Sequence, residues 1–184
     1  MFEIRDLQEK VLFSIIEEYS NTELAKKIVY DENDTHMNDC EWVKSTMQKL
    51  EDNFNESQIE MIRMKCQCGY GMDEKLKLLN FLIMSSSSLE DFAAKKEADA
   101  AGLYLENGEL YLKFDNCPCP MLQKVDQLKT DTWCKCTIGY TKTLFEKAFK
   151  CDVDVILLKS IKTGDTECLQ KVDIKNFDWN KRLQ

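Results

Sequence analysis

Residues 1 to about 100 carry apolar side chains that return every three or four positions, the period of a helix with one buried face. In LQEKVLFSIIEEY, Leu7, Val11, Leu12, Ile15 and Ile16 keep this spacing. NTELAKKIVY follows, with Asn21 or Thr22 placed to cap it. DENDTH is a polar break, and DCEWVKSTMQKLEDNF then sets Trp42, Val43, Met47 and Leu50 on one face. ESQIEMIRM predicts a short helix that stops just before Cys66, and EKLKLLNFLIM is apolar enough for a buried one. The serines of SSSSLEDFAAKK read as a solvated loop, with Ser88 capping a helix whose Asp91 lies three residues on.

The period changes at residue 102. GLYLENGELYLKF is two short alternating runs around Asn107-Gly108, a strong hairpin signal. GYTKTLFEKAF returns to helical spacing, and VDVILLKSI and CLQKVDI predict two strands joined through Gly164-Asp165. The expected fold class is therefore α+β: a helical N-terminal half packed with a C-terminal antiparallel sheet plus helices. The division falls at residues 1–100 and 101–184, as two regions or one continuous domain.

Charge narrows the partners. With 25 Lys and Arg against 33 Asp and Glu, the net charge is −8, which repels nucleic-acid backbones. The basic clusters, AAKKEAD and NKRLQ, are short, so no nucleic-acid partner is expected. No apolar run approaches the roughly 18 residues of a membrane span. The start, MFEIRDLQEK, lacks the basic-then-apolar order of a secretory signal, and the expected location is cytoplasmic. The LLNFLIM helix offers a surface for a homodimer.

The most unusual feature is the cysteines. Nine are present, and six stand in Cys-x-Cys pairs: Cys66 and Cys68, Cys117 and Cys119, Cys134 and Cys136. On an extended chain, residues i and i+2 point to the same side, so two thiolates at that spacing can share one cation. A disulfide across a single residue must close a very small, strained ring. The last two pairs, separated by fourteen residues, have the two-plus-two layout of a tetrahedral zinc site. Zinc on Cys117, Cys119, Cys134 and Cys136 is the expected cofactor; Cys66 and Cys68 are the next candidates, as half of a site with one of the later pairs, as part of a six-thiolate two-metal cluster, or as inert thiols in a tight turn. An iron–sulfur cluster uses the same donors, but its usual spacings are missing. Free buried thiols and reversible redox pairs are the other readings. Cys40 and Cys151 read as packing thiols, and His36, the one histidine, lies in a polar loop.

A thiolate enzyme is a further reading, because Cys134 and Cys136 are expected just before a helix opening at Gly139-Tyr140. A helix N-terminus there would favour a thiolate and supply amides for an oxyanion.

CDVDVILLKSIKTGDTECLQKVDI, with Ser160, Gly164-Asp165 and Cys168, resembles the closing segment of the 4-vinyl-reductase-like and methanogen-output small-molecule-binding domains. WCKCTIGYTKTLFEKAF is similar to the helix leading into it. The cysteine pairs bring the chain close to uncharacterised bacterial cysteine-rich proteins, some labelled L-2-amino-thiazoline-4-carboxylate hydrolase-like. The resemblance covers about 60 residues and implies a pocket between sheet and helices that holds a small-molecule ligand, with Cys168, Tyr140 and Trp133 at its walls. It departs from the group at Gln170, where an aromatic residue is common, and leaves the helical first half unexplained. The expected function is a ligand-binding or sensory protein with a thiolate zinc site. The alternatives are a hydrolase of a small amide or cyclic thioimidate, using metal-bound water or a thiolate, and a thiol redox or metal-stress sensor.

Overall fold

The computed structural model describes residues 4–34 and 36–181, without the side chain of Asn33. Of the basic NKRLQ cluster, residues 182–184 lie outside the described residues. The helices are α1 (Ile4–Tyr19), α2 (Thr22–Val29), α3 (Asp39–Asn53), α4 (Glu56–Lys65), α5 (Met72–Met84), α6 (Leu89–Ala93), α7 (Lys96–Ala100) and α8 (Lys135–Phe149). The strands are β1 (Leu103–Glu106), β2 (Glu109–Phe114), β3 (Val153–Lys159) and β4 (Cys168–Ile174). They form one antiparallel sheet in the order β1-β2-β4-β3, so the fold is α+β. Among the described residues, no helix is long and apolar enough to cross a membrane.

Asn21, one of the two cap candidates, accepts from Leu24 N–H; Asn38 and Asn55, not singled out in the sequence, close full capping boxes at α3 and α4. Ser88 Oγ accepts from Asp91 N–H at the start of α6. Asn107 and Gly108 both take positive φ, 52° and 79°, as a two-residue hairpin turn demands.

The buried side chains form two clusters. One gathers α1–α4 with residues 121–136, around Leu12, Ile16, Trp42, Leu50, Ile62 and Trp133. The other gathers α5–α8 with the sheet, around Leu82, Phe92, Leu110, Phe145 and Val172. The boundary between them does not follow the 100/101 division: α5–α7 pack with the sheet, and the cysteine-bearing loop after β2 packs with the first helices. That loop is pinned by Lys162 on one side and Glu51 on another. Leu128 N–H donates to Lys162 O at 2.7 Å, the Lys162 ammonium donates to Val125 O, and Thr130 and Thr132 hydroxyls donate to Glu51 at 2.6 and 2.8 Å.

Helix α8 joins the two clusters, packing on α4, α5 and β3. It begins at Lys135, four residues earlier than the sequence suggests. Gly139 does not open the helix; it lies inside it, where an added Cβ would sit 1.9 Å from Met64 O. Its lack of a side chain lets α4 and α8 touch backbone to backbone.

Candidate functional site

The early start of α8 changes what the Cys-x-Cys spacing does. Cys134 closes a short 3-10 turn and Cys136 stands in the first turn of the helix. On helical backbone residues i and i+2 point to different sides. Cys134 Sγ accordingly faces Ser160 Oγ at 3.4 Å, while Cys136 donates to Cys66 O at 2.7 Å on the far side. Cys117 and Cys119 also differ: the Cys117 thiol pairs with Cys168, whereas Cys119 lines the same cleft as Cys136. The structure therefore does not bring Cys117, Cys119, Cys134 and Cys136 to one point. Among the described residues, no three His, Cys, Asp or Glu side chains converge in a metal-holding arrangement.

Instead there are two thiol groups. In the first, Cys117, Cys134 and Cys168 gather beside Ser160 at the base of the β3–β4 connection. Cys168 Sγ also accepts from Ile161 N–H at 3.5 Å. The contact with Cys168 holds the Cys117 thiol below its usual pKa, against burial. The same contact, with burial, pushes Cys168 up, and burial raises Cys134.

The second group lies along the seam between α4 and α8, where Cys68, Cys119 and Cys136 line a common cleft and the Arg63 charge reaches Cys66, Cys119 and Cys136 without their sulfurs converging. Cys66 caps α4 and donates its thiol to Ile62 O at 3.1 Å; Gln8 donates to Cys66 O at 3.1 Å. Burial pushes Cys66 and Cys119 up to about 12 and raises Cys136; Arg63 opposes this at all three, as it does at Cys134 in the first group. Arg63 itself is 0% exposed. Its guanidinium lies 4.0 Å over the Trp133 ring and Nη2 donates to Trp133 O at 3.2 Å, but Nε and Nη1 have no partner.

Beside this second group opens a cleft of about 220 Å³. Its walls are Leu78 and Leu79 of α5, Leu103 and Leu112 of the sheet, Leu144 and Phe145 of α8, and Pro118–Met121. Cys68, Cys119 and Cys136 line it, with Gln8, Tyr70, Thr137, Thr141, Tyr140 and Lys75 as the other polar residues. The Lys75 ammonium sits 4.7 Å over the Tyr140 ring, and partial burial there holds it below its usual pKa. Tyr140 donates to Tyr70 O at 2.9 Å, and burial pushes its hydroxyl up to about 12, so it stays a neutral donor.

Of the three expected wall residues, Tyr140 lines this cleft. Trp133 does not: it is wholly buried between Arg63 and Trp42, edge-on to the latter at 5.5 Å. Cys168 faces Cys117 in the first thiol group, outside the cleft. Arg63 and Lys75 escaped the sequence reading. Arg63 had a signal: Ile59, Ile62, Arg63 and Cys66 follow the i, i+3, i+4, i+7 stripe that α4 buries, with a charge where an apolar residue belongs.

These features define an α+β protein with an apolar cleft backed by a thiol group. A model described as a family of unknown function (DUF6144) matches residues 1–179, and the chain belongs to that family. No curated protein and no solved structure matches the chain.

Proposed function

We propose that the protein binds a small, mainly apolar molecule carrying one acidic group, as a ligand-binding or sensory protein. The observation that carries this reading is the apolar cleft with a lysine at its mouth. At about 220 Å³ the cleft falls below the roughly 300–1,000 Å³ of drug-sized sites, which suits a molecule the size of a short fatty acid or a benzoate. Apolar walls supply affinity through burial, at roughly 25 cal/mol per Å². Lys75 forms no ion pair with a carboxylate among the described residues; its neighbours are the Tyr140 ring and Cys68. A ligand carboxylate would gain a charge-assisted hydrogen bond there without breaking an internal pair. The resemblance of residues 151–174 to small-molecule-binding domains supports the same reading. Nine free thiols suit a reducing compartment such as the cytoplasm.

The test is calorimetric titration with hexanoate, hexanol and hexylamine, three chains of similar size and different head group. Hexanoate should bind most tightly, by roughly tenfold over hexanol. Lys75→Met should remove that preference and keep hexanol binding, while Leu112→Trp, which fills the cleft, should abolish both. Equal binding of acid and amine, or no binding by any of the three, would contradict the reading.

A further inference from the structure

The end of the sheet brings two distant cysteines into contact. In the β2–β4 ladder Phe114 stands opposite Cys168, the first residue of β4. The chain bends at residues 115–116, and the Cys117 side chain meets the Cys168 thiol. The residues just before each cysteine, Asn116 and Glu167, line one open polar groove with Lys113 and Asp115. Cys117 is half-buried, whereas Cys168 is buried and held by the Ile161 amide at 3.5 Å. The third thiol of the group, Cys134, is engaged by Ser160 Oγ at 3.4 Å. A bond inside any Cys-x-Cys pair would close a very small, strained ring. Between Cys117 and Cys168, with fifty residues separating them, that strain does not arise.

We infer that Cys117 and Cys168 form a two-electron redox pair that hydrogen peroxide closes to a disulfide, with Cys117 as the attacking sulfur and Cys168 as the resolving one. This goes beyond the ligand reading of the cleft and does not depend on it. The roles follow from position: the half-buried sulfur beside the groove is the one that peroxide reaches, and the buried sulfur touches only its partner's side. Redox-active cysteines are accessible, favour the thiolate and stand next to a resolving thiol. The Cys168 contact, which favours the Cys117 thiolate, supports the same assignment. In the first step the Cys117 thiolate attacks one peroxide oxygen and the O–O bond breaks. That oxygen stays on sulfur as a sulfenic acid, and the other leaves as water. In the second step the Cys168 sulfur attacks the Cys117 sulfur, the S–S bond forms, and the S–O bond breaks. The departing hydroxide takes the Cys168 proton and leaves as a second water. Two thiols and one peroxide thus give one disulfide and two waters, and a dithiol reductant reverses the change. Cys117 leads directly into Pro118–Met121, so the bond ties a wall of the cleft to β4.

The reduced full chain is treated with one equivalent of hydrogen peroxide at neutral pH, quenched with N-ethylmaleimide, digested and mapped by mass spectrometry. The Cys117–Cys168 bond should form before any other and disappear with dithiothreitol. Cys117→Ser should abolish it. Cys168→Ser, which keeps a donor at that position, should let the first step run and stop there, leaving Cys117 as a sulfenic acid that dimedone captures. Cys134→Ser should form the bond as the wild type does. A different first bond in the wild type, or no bond, would overturn the pair. A Cys168→Ser chain that gives no dimedone adduct at Cys117 would overturn the assignment of roles. Should a serine variant not fold, the bond map of the wild type decides alone.

Discussion

The two thiol groups hold similar donors but face different surroundings. Cys117, Cys134 and Cys168 meet one another, Ser160 and the Ile161 amide. Cys68, Cys119 and Cys136 line the apolar cleft, with the Cys66 thiol turned away onto Ile62 O. The Arg63 charge acts on Cys66, Cys119 and Cys136 and on Cys134 as well, so access to the cleft, not that charge, separates the groups. Cysteine count and spacing are therefore poor guides to chemistry by themselves; what each thiol faces decides what it can do.

The most damaging way to break this contrast is at the α4–α8 seam. Gly139→Ala drives a Cβ into the Met64 carbonyl at 1.9 Å, and pushing the helices apart should cost about 3 kcal/mol, read as a fall in urea midpoint. It should also expose Cys66 and Cys136 to alkylation while Cys134 and Cys168 stay covered. Ser160→Ala removes the hydroxyl that accepts from Lys162 N–H at 3.2 Å and meets Cys134, and should cost about 1 kcal/mol with no effect on Cys66 or Cys136.

The smallest effect sharpens the contrast through reactivity. The thiolate is the nucleophile, so a lowered pKa brings alkylation to full rate at lower pH. In metal-free protein Cys117, held low by Cys168, should react with iodoacetamide before Cys66 or Cys119, which burial pushes up to about 12. Cys168→Ala removes the donor that stabilises the Cys117 thiolate. The pH profile of Cys117 alkylation should then move upward, slowing the reaction severalfold near neutral pH, as followed by peptide mass spectrometry.

Much of the fold is legible because its signals are local. The Asn107-Gly108 turn, the Ser88 cap and the Leu12–Ile16 stripe each depend on a few neighbouring residues. The start of α8 is not, because a glycine that looks like a helix boundary serves a close approach to Met64 from another helix. The same error carried into the cysteines: a same-side argument holds on extended chain, and Cys134 and Cys136 are on helical backbone. Cys168 meets Cys117 only through the fold, since fifty residues separate them in sequence. Arg63 was readable as a charge on a buried stripe, but the thiols around it come from three separate segments.

The most direct measurement of the central claim is site-resolved alkylation of the reduced chain with and without saturating hexanoate. The account predicts that hexanoate protects Cys68, Cys119 and Cys136, which line the cleft, and leaves the rates of Cys117, Cys134 and Cys168 unchanged. Protection of the Ser160 group instead, or equal protection of both, would contradict it.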